Sequence, residues 1–220
     1  TGKSTLLKIA AGLEEPDGGT VTRGNGLQIR YLPQNPVFEK GSTALSSVLA
    51  GNVTEQNRWD VESQAKAMLN KLEIGDFEAA AETLSGGQRK RVALAGVLLS
   101  FADILILDEP TNHLDSEMAG WLEDYLKKRK NALIMVTHDR YFLDSVTNRI
   151  VEIDQGKLYS YQAGYSGFLK LKEEREAMAL ASERKRQSLL KTEIAWMMRG
   201  ARARSTKQKA HIQRYEELRD

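Results

Sequence analysis

Ile104-Leu105-Ile106-Leu107-Asp108-Glu109-Pro110 is the stretch that decides the fold. Four consecutive apolar residues between Asp103 and Asp108 have strand length and no polar alternation, which is the pattern of a strand buried on both faces. Ala132-Leu133-Ile134-Met135-Val136 repeats it, and Met118 to Lys128 between the two has helical spacing. Apolar strands separated by helices predict an α/β fold with a parallel core sheet covered on both faces. The carboxylates Asp108 and Glu109 then stand at the carboxyl edge of the sheet, where open α/β sheets bind their ligands.

Working outward, the chain begins Thr1-Gly2-Lys3-Ser4-Thr5 and continues with Leu6, Leu7, Ile9, Ala10 and Leu13 at helical spacing. Gly2-Lys3-Ser4-Thr5 has the composition of the second half of a phosphate-binding loop. Glycine lets backbone N–H groups approach phosphate oxygens, lysine reaches the β/γ phosphates, and a hydroxyl ligates Mg²⁺. A helix starting there adds its positive N-terminal end. The leading glycines of such a loop and the strand before it are expected upstream of Thr1. In this setting Asp108 is the acidic partner of the phosphate loop. Glu109 is placed to orient or deprotonate an attacking water, an effect worth about 10²–10⁴-fold.

Leu84-Ser85-Gly86-Gly87-Gln88 precedes a helical pattern over Arg89 to Leu99, with Ser85 suited to cap it. Two glycines after a cap are poor helix formers and expose backbone donors to an anion. His138 follows the second apolar strand, so it is either a structural histidine or a group at the ligand-binding edge. Gln34 follows Tyr31-Leu32-Pro33 and is a polar residue after a strand-like run. Short β-like runs are expected between Val21 and Leu32, helices across 43–82, and a hairpin over Ile150 to Tyr161 turning at Gln155-Gly156. From 166 to 199, Gly167 is the last glycine or proline before residues rich in Leu, Lys, Glu, Ala and Met, a long helix. At about 33 residues it would span roughly 50 Å. It could not bury itself alone, so a helical hairpin is expected, broken at Gly200 and resuming near Ser205.

Of the 220 residues, 41% are hydrophobic and 28% charged, which is ordinary for a globular chain. Cysteine is absent, so disulfides and thiolate zinc sites are excluded. The apolar run from Val92 to Leu99 falls well short of the roughly 18 residues a membrane span needs, and no leader pattern opens the chain. The chain reads as soluble. The net charge of +2 is unevenly spread. Lys170 to Asp220 carries 14 Lys/Arg against 8 Asp/Glu, and the rest carries 18 against 22. A basic tail on an acidic body fits either an anionic partner or a solvated charged helix.

Together and in this order, Gly-Lys-Ser-Thr, Gln34, Leu-Ser-Gly-Gly-Gln, the strand ending Leu107-Asp108-Glu109-Pro110, and His138 resemble the ABC ATPase cassette, over residues 1 to about 155. The resemblance implies a P-loop NTPase fold with a helical signature subdomain, and ATP with Mg²⁺ as the ligands. Lys3 and Ser4 would hold phosphates and Mg²⁺, with Gly2 and Thr5 in the same loop. Gln34 would be the Q-loop residue, counted with both the catalytic and the metal-binding groups, Asp108 the Walker B aspartate at the metal, Glu109 the catalytic base and His138 the switch histidine. Asp115 matches the D-loop position that bridges cassettes. Ser85, Gly86, Gly87 and Gln88 would act on a nucleotide held by a second cassette, so one cassette alone would not build a complete site.

Two strings narrow the resemblance to the ABC-F family: Asp108-Glu109-Pro110-Thr111-Asn112-His113-Leu114-Asp115 and Thr137-His138-Asp139-Arg140-Tyr141-Phe142-Leu143-Asp144. Trp196-Met197-Met198-Arg199-Gly200-Ala201-Arg202-Ala203-Arg204-Ser205-Thr206-Lys207-Gln208-Lys209 is similar to the linker between the two cassettes of bacterial ABC-F proteins. The organisation expected is a nucleotide-binding domain over 1–165 and a basic α-helical interdomain linker, itself incomplete, over 166–220. About 50 residues separate Gln34 from Leu84, which resembles the short-arm bacterial branch. The family implies a cytoplasmic translation factor whose partners are the second cassette of its parent chain and the ribosome, its rRNA and tRNA, with no membrane. Nucleotide state would control linker insertion near the P-site tRNA. Arg199, Arg202, Arg204, Lys207, Lys209 and Arg214, with no acidic residue among them, suit RNA phosphates. Trp196 is expected to pack between the linker helices rather than stack on a base. Two rival readings are the ATPase subunit of a membrane transporter, which the basic hairpin disfavours, and an ABC ATPase that binds branched DNA, which phosphate contacts alone do not separate from RNA binding.

Overall fold

The computed structural model describes residues 2–198 together with 212, 213, 215 and 216. Two compact units emerge, Thr1–Asn148 with Glu152–Tyr159, and Arg149–Val151 with Ser160–Asp220. In chain order the elements are α1 (Lys3–Ala11), β1 (Ile29–Leu32), α2 (Ala44–Leu49), α3 (Val61–Lys71), α4 (Gly86–Leu99), β2 (Ile104–Asp108), α5 (Ser116–Lys128), β3 (Ala132–Val136), α6 (Arg140–Val146), β4 (Ile150–Asp154), β5 (Lys157–Tyr161) and α7 (Tyr165–Met198).

In the first unit β1, β2 and β3 form a parallel sheet in that order. The register sets Leu32 beside Leu107 and Asp108 beside Val136, so the strands end together at one edge. Leu105, Ile106 and Leu107 are fully buried in the central strand, as the unbroken apolar run requires. β3 departs from the expectation of full cover: Ile134 is 43% exposed. The reason is position, because among the described residues β3 has a sheet neighbour on one side only. A single core unites Leu32, Leu105 and Leu107 with Val92, Leu94 and Leu98 of α4 and Leu122 of α5.

The helical reading of 43–82 resolves into α2 and α3 with irregular chain around them. Gly51 takes φ +71° after α2, and the Asn57 side chain closes the next turn by accepting from Thr54 N at 2.7 Å and donating to Asn52 O at 2.8 Å. Past α3, Glu73 at φ +55° ends the helical path. Of the β-like runs before Leu32 only Ile29–Leu32 is a strand, since it alone has a partner in β2. The helix expected from Arg89 starts instead at Gly86, because a capping box holds the two glycines in its first turn.

β4 and β5 form a separate two-stranded sheet. Gln155 and Gly156 link them with φ +47° and +75°, the twist-matched two-residue turn of a hairpin. The long helix is present as α7, 34 residues. At its start Phe168 meets Tyr161 edge-on, with ring centroids 5.1 Å apart. The second arm of the expected helical hairpin falls outside the described residues, apart from the helical residues 212, 213, 215 and 216. Among the described residues no helix is long and apolar enough to cross a membrane.

Leu107→Ala is expected to cost about 2–5 kcal/mol by opening a cavity next to the carboxylates. Urea unfolding should show a lower midpoint at unchanged slope, while Ile134→Ala at the exposed edge should cost less than about 1 kcal/mol.

Candidate nucleotide site

The N-terminus of α1 is built to receive an anion. Gly2 occupies the left-handed region at φ +73°, no side chain caps the helix, and its first turn holds no acidic residue. The first intrahelical bond there runs from Leu6 N to Gly2 O at 2.9 Å, so the amides of Lys3, Ser4 and Thr5 have no acceptor within the helix. Backbone donors and helix dipole therefore converge on one point.

Facing it is the end of β2. Asp108 is 1% exposed and Glu109 5% exposed. Glu109 leaves the strand at φ +51°, a left-handed conformation unusual for a residue with a side chain. Its N–H donates to Val136 O at 2.8 Å, which anchors this turn to the end of β3. The carboxylate is held by His138: Oε2 accepts from the His138 backbone N–H at 3.2 Å, and Oε1 stands 3.4 Å from His138 Nε2. The His138 side chain is 84% exposed, which removes the reading of a buried structural histidine. Tyr31 Oη donates to Asp108 Oδ2 at 3.4 Å. Burial, reinforced by the negative charge of Asp108, pushes the Tyr31 phenol up to about 12.

A cavity of about 480 Å³ joins these parts. Gly2, Lys3, Ser4, Thr5, Gln34, Asp108, Glu109 and His138 line it, with Val136 between them. A larger cavity of about 830 Å³ lies beside Asp103 and Asn131, which precede β2 and β3 rather than follow them. It is thus at the edge of the sheet where open α/β folds do not place nucleotides.

Ser85, Gly86, Gly87, Gln88 and Asp115 are not in the 480 Å³ cavity. Ser85 Oγ accepts from Gln88 N at 3.2 Å, and Gln88 Oε1 accepts from Ser85 N at 2.9 Å. These acceptors serve the capping box, so the groups left for an anion are the Ser85 hydroxyl proton, the Gln88 amide hydrogens and the first backbone amides of α4. Asp115 caps α5 by accepting from Met118 N at 2.8 Å. Gly87 packs on His113, itself at φ +66°: a Cβ on Gly87 would lie 3.3 Å from His113 Cβ.

Three features escaped the sequence. Tyr31 stands in a strand-like run that gives no sign of its contact with Asp108. Thr111 and Thr137 join through their hydroxyls at 3.1 Å, tying the chain after Glu109 to the end of β3. Lys90 sits in the run Arg89-Lys90-Arg91, which looks like a solvated helix face, yet it is 2% exposed. Its ammonium donates to Pro33 O and to Asp108 O, both at 2.6 Å. Burial lowers the Lys90 ammonium to about 8 even though Asp108 and Glu109 oppose the shift. Helical periodicity was the one available signal, since Lys90 shares a face with Leu94 and Val97. Arg199, Arg202, Arg204, Lys207, Lys209 and Arg214 lie outside the described residues.

The contact between Gly87 and His113 is testable. Gly87→Val should destabilise the chain by about 1–3 kcal/mol through overpacking, while Gly120→Ala, in open space on a helix, should be neutral or stabilising; chemical denaturation of both variants checks this.

Comparison with known proteins agrees with this geometry. The profile described as ABC transporter matches residues 1–112, and a second profile of the same description matches 151–220. The uncharacterized ABC transporter ATP-binding protein YfmR of Bacillus subtilis is 44% identical over 256 residues, covering 100% of this chain and 41% of YfmR. The energy-dependent translational throttle protein EttA of Mycobacterium tuberculosis is 36% identical over 252 residues, covering 99% of this chain and 45% of EttA. The chain thus spans less than half the length of these two curated relatives. Among solved structures, the dimeric post-hydrolysis state of the ATP-binding cassette MJ0796 bound to ADP and Pi aligns with a TM-score of 0.63 and 25% identity, over 73% of this chain and 80% of that one. The chain belongs to the ABC transporter family of ATP-binding cassettes, within its ABC-F branch.

Proposed function

We propose that the chain is the ATP-binding and ATP-hydrolysing cassette of a ribosome-associated translation factor whose nucleotide state moves a basic helical linker. The observation that carries the hydrolytic part is the single cavity uniting the second half of a phosphate loop, Asp108 and the Glu109–His138 pair. Lys3 and the first amides of α1 bind the β and γ phosphates. Ser4 hydroxyl, Gln34 amide oxygen and Asp108 carboxylate are hard oxygen donors, a set suited to Mg²⁺ shared with phosphate oxygens and water. Bound there, Mg²⁺ supplies charge neutralisation of the phosphates.

Glu109 accepts the proton of a water whose oxygen attacks the γ phosphorus, and the β–γ bridging oxygen departs with ADP. The His138 backbone N–H and ring fix the carboxylate in the position this needs. Because Ser85–Gln88 lie outside that cavity, their donors are available to a nucleotide bound elsewhere. The dimeric MJ0796 structure and the partial span of YfmR and EttA support a second cassette in the parent chain as its holder. The translational role rests on the likeness to EttA and on the basic segment from Arg199 to Arg214, read as an RNA-phosphate contact within a helical interdomain linker over 166–220. That reading places the protein in the cytoplasm with rRNA and tRNA as partners.

Two outcomes follow. The 220-residue chain alone is expected to turn over ATP negligibly, and sustained Mg²⁺-dependent hydrolysis by it would refute the composite site. In the full-length protein, Glu109→Gln with the matching change in the second cassette should trap the ATP-bound state. Pelleting with ribosomes should then depend on ATP rather than ADP, and be lost when Arg199, Arg202, Arg204, Lys207, Lys209 and Arg214 are neutralised. No enrichment with ribosomes in either nucleotide would sink the translational reading and direct attention to DNA junctions.

A further inference from the structure

Lys90 ties together three pieces of backbone that the nucleotide chemistry needs at once. The ladder between β1 and β2 has its last registered pair at Leu32 and Leu107. The next carbonyls, Pro33 O and Asp108 O, lie past that pair at the carboxyl edge of the sheet. The Lys90 ammonium crosses between them, donating to each at 2.6 Å. Pro33 is the residue before Gln34, Asp108 is a cavity residue itself, and Glu109 follows it. Lys90 is also two residues beyond Gln88, on the helix whose first turn carries Ser85–Gln88 as its cap and opening.

The ammonium of a lysine that is 2% exposed cannot be exchanged for water without opening the helix–sheet contact. A methionine of similar length would fill the space and leave two carbonyls without their donor. A glutamine would keep N–H donors but not the charge. What the lysine adds is therefore a fixed spacing between the start of α4, the backbone before Gln34 and the carbonyl of Asp108.

We infer that Lys90 is a positioning residue, the link through which α4, engaged at Ser85–Gln88 by the nucleotide of the second cassette, sets Gln34 and the Asp108–Glu109 pair of its own cassette for hydrolysis. This rests on the cassette reading above. It predicts an effect on turnover rather than on nucleotide capture, because the phosphate-binding amides of α1 do not contact Lys90.

The test uses the full-length protein and steady-state ATP hydrolysis, with affinity for a fluorescent ATP analogue and urea unfolding measured on each variant. Lys90→Met should lower kcat at least about tenfold, a modest figure where misplacement by about 1 Å costs about 10²-fold. The KM for ATP and the analogue affinity should stay within about threefold of wild type, the pattern of an interaction made in the transition state. Lys90→Gln, which restores N–H donors, should recover part of the lost rate. Unchanged kcat in Lys90→Met overturns the inference, and so does a fall in kcat matched by an equal fall in analogue affinity and stability. Should Lys90→Met not fold, Lys90→Gln decides alone: reduced kcat at unchanged KM supports the inference, and unchanged kcat overturns it. A wild-type protein that hydrolyses no ATP overturns the cassette reading itself, whereas a hydrolysing wild type with an indifferent Lys90→Met overturns only this link.

Discussion

A buried strand that ends in two acidic residues imposes a constraint that the first unit is arranged to meet. Ile104–Leu107 must be sealed from water, while Asp108 and Glu109, 1% and 5% exposed, must keep charge at the edge of that seal. Carboxylates so placed need donors close by. Tyr31 and the His138 backbone and ring stand at these carboxylates from β1 and from the end of β3, and the Lys90 ammonium of α4 donates to the Asp108 backbone carbonyl beside them. Each of these elements is thereby fixed to the same few ångströms of β2. The open side of the arrangement is the cavity, and the first turn of α1 supplies its positive wall.

This explains the division of labour between the two glycine-containing helix starts. α1 opens without a side-chain cap and faces the carboxylates across the cavity. α4 opens with a full capping box, its first turn lying outside that cavity. The same residue types therefore open two different surfaces, one lining the cavity and one outside it.

The sheet was legible because its central strand is an unbroken apolar run, and a strand buried on both faces leaves no other pattern. Asp108, Glu109 and His138 follow apolar strands, so chain direction points them to the carboxyl edge, whereas Gln34 carries almost no signal of its own and was singled out by the family resemblance; the structure brings all four to one cavity. What stayed hidden depended on contacts distant in sequence. Arg89-Lys90-Arg91 carries three charges in a row, and only the approach of Pro33 and Asp108 separates the buried lysine from its exposed neighbour Arg89. The exposure of Ile134 was hidden for a related reason: the string 132–136 is as apolar as 104–107, and the difference is the number of neighbouring strands. The helical text of 43–82 could not show where Gly51 and Glu73 would break it, since left-handed backbone at Glu73 has no side-chain signature.

Glu109 holds its carboxylate on a backbone at φ +51°, and a residue with a Cβ in the left-handed region costs of the order of 1–3 kcal/mol. Glycine or asparagine would occupy that point with less strain. Selection for heat resistance alone would then drift away from glutamate at this position, and a stabilised variant that keeps it must compensate elsewhere.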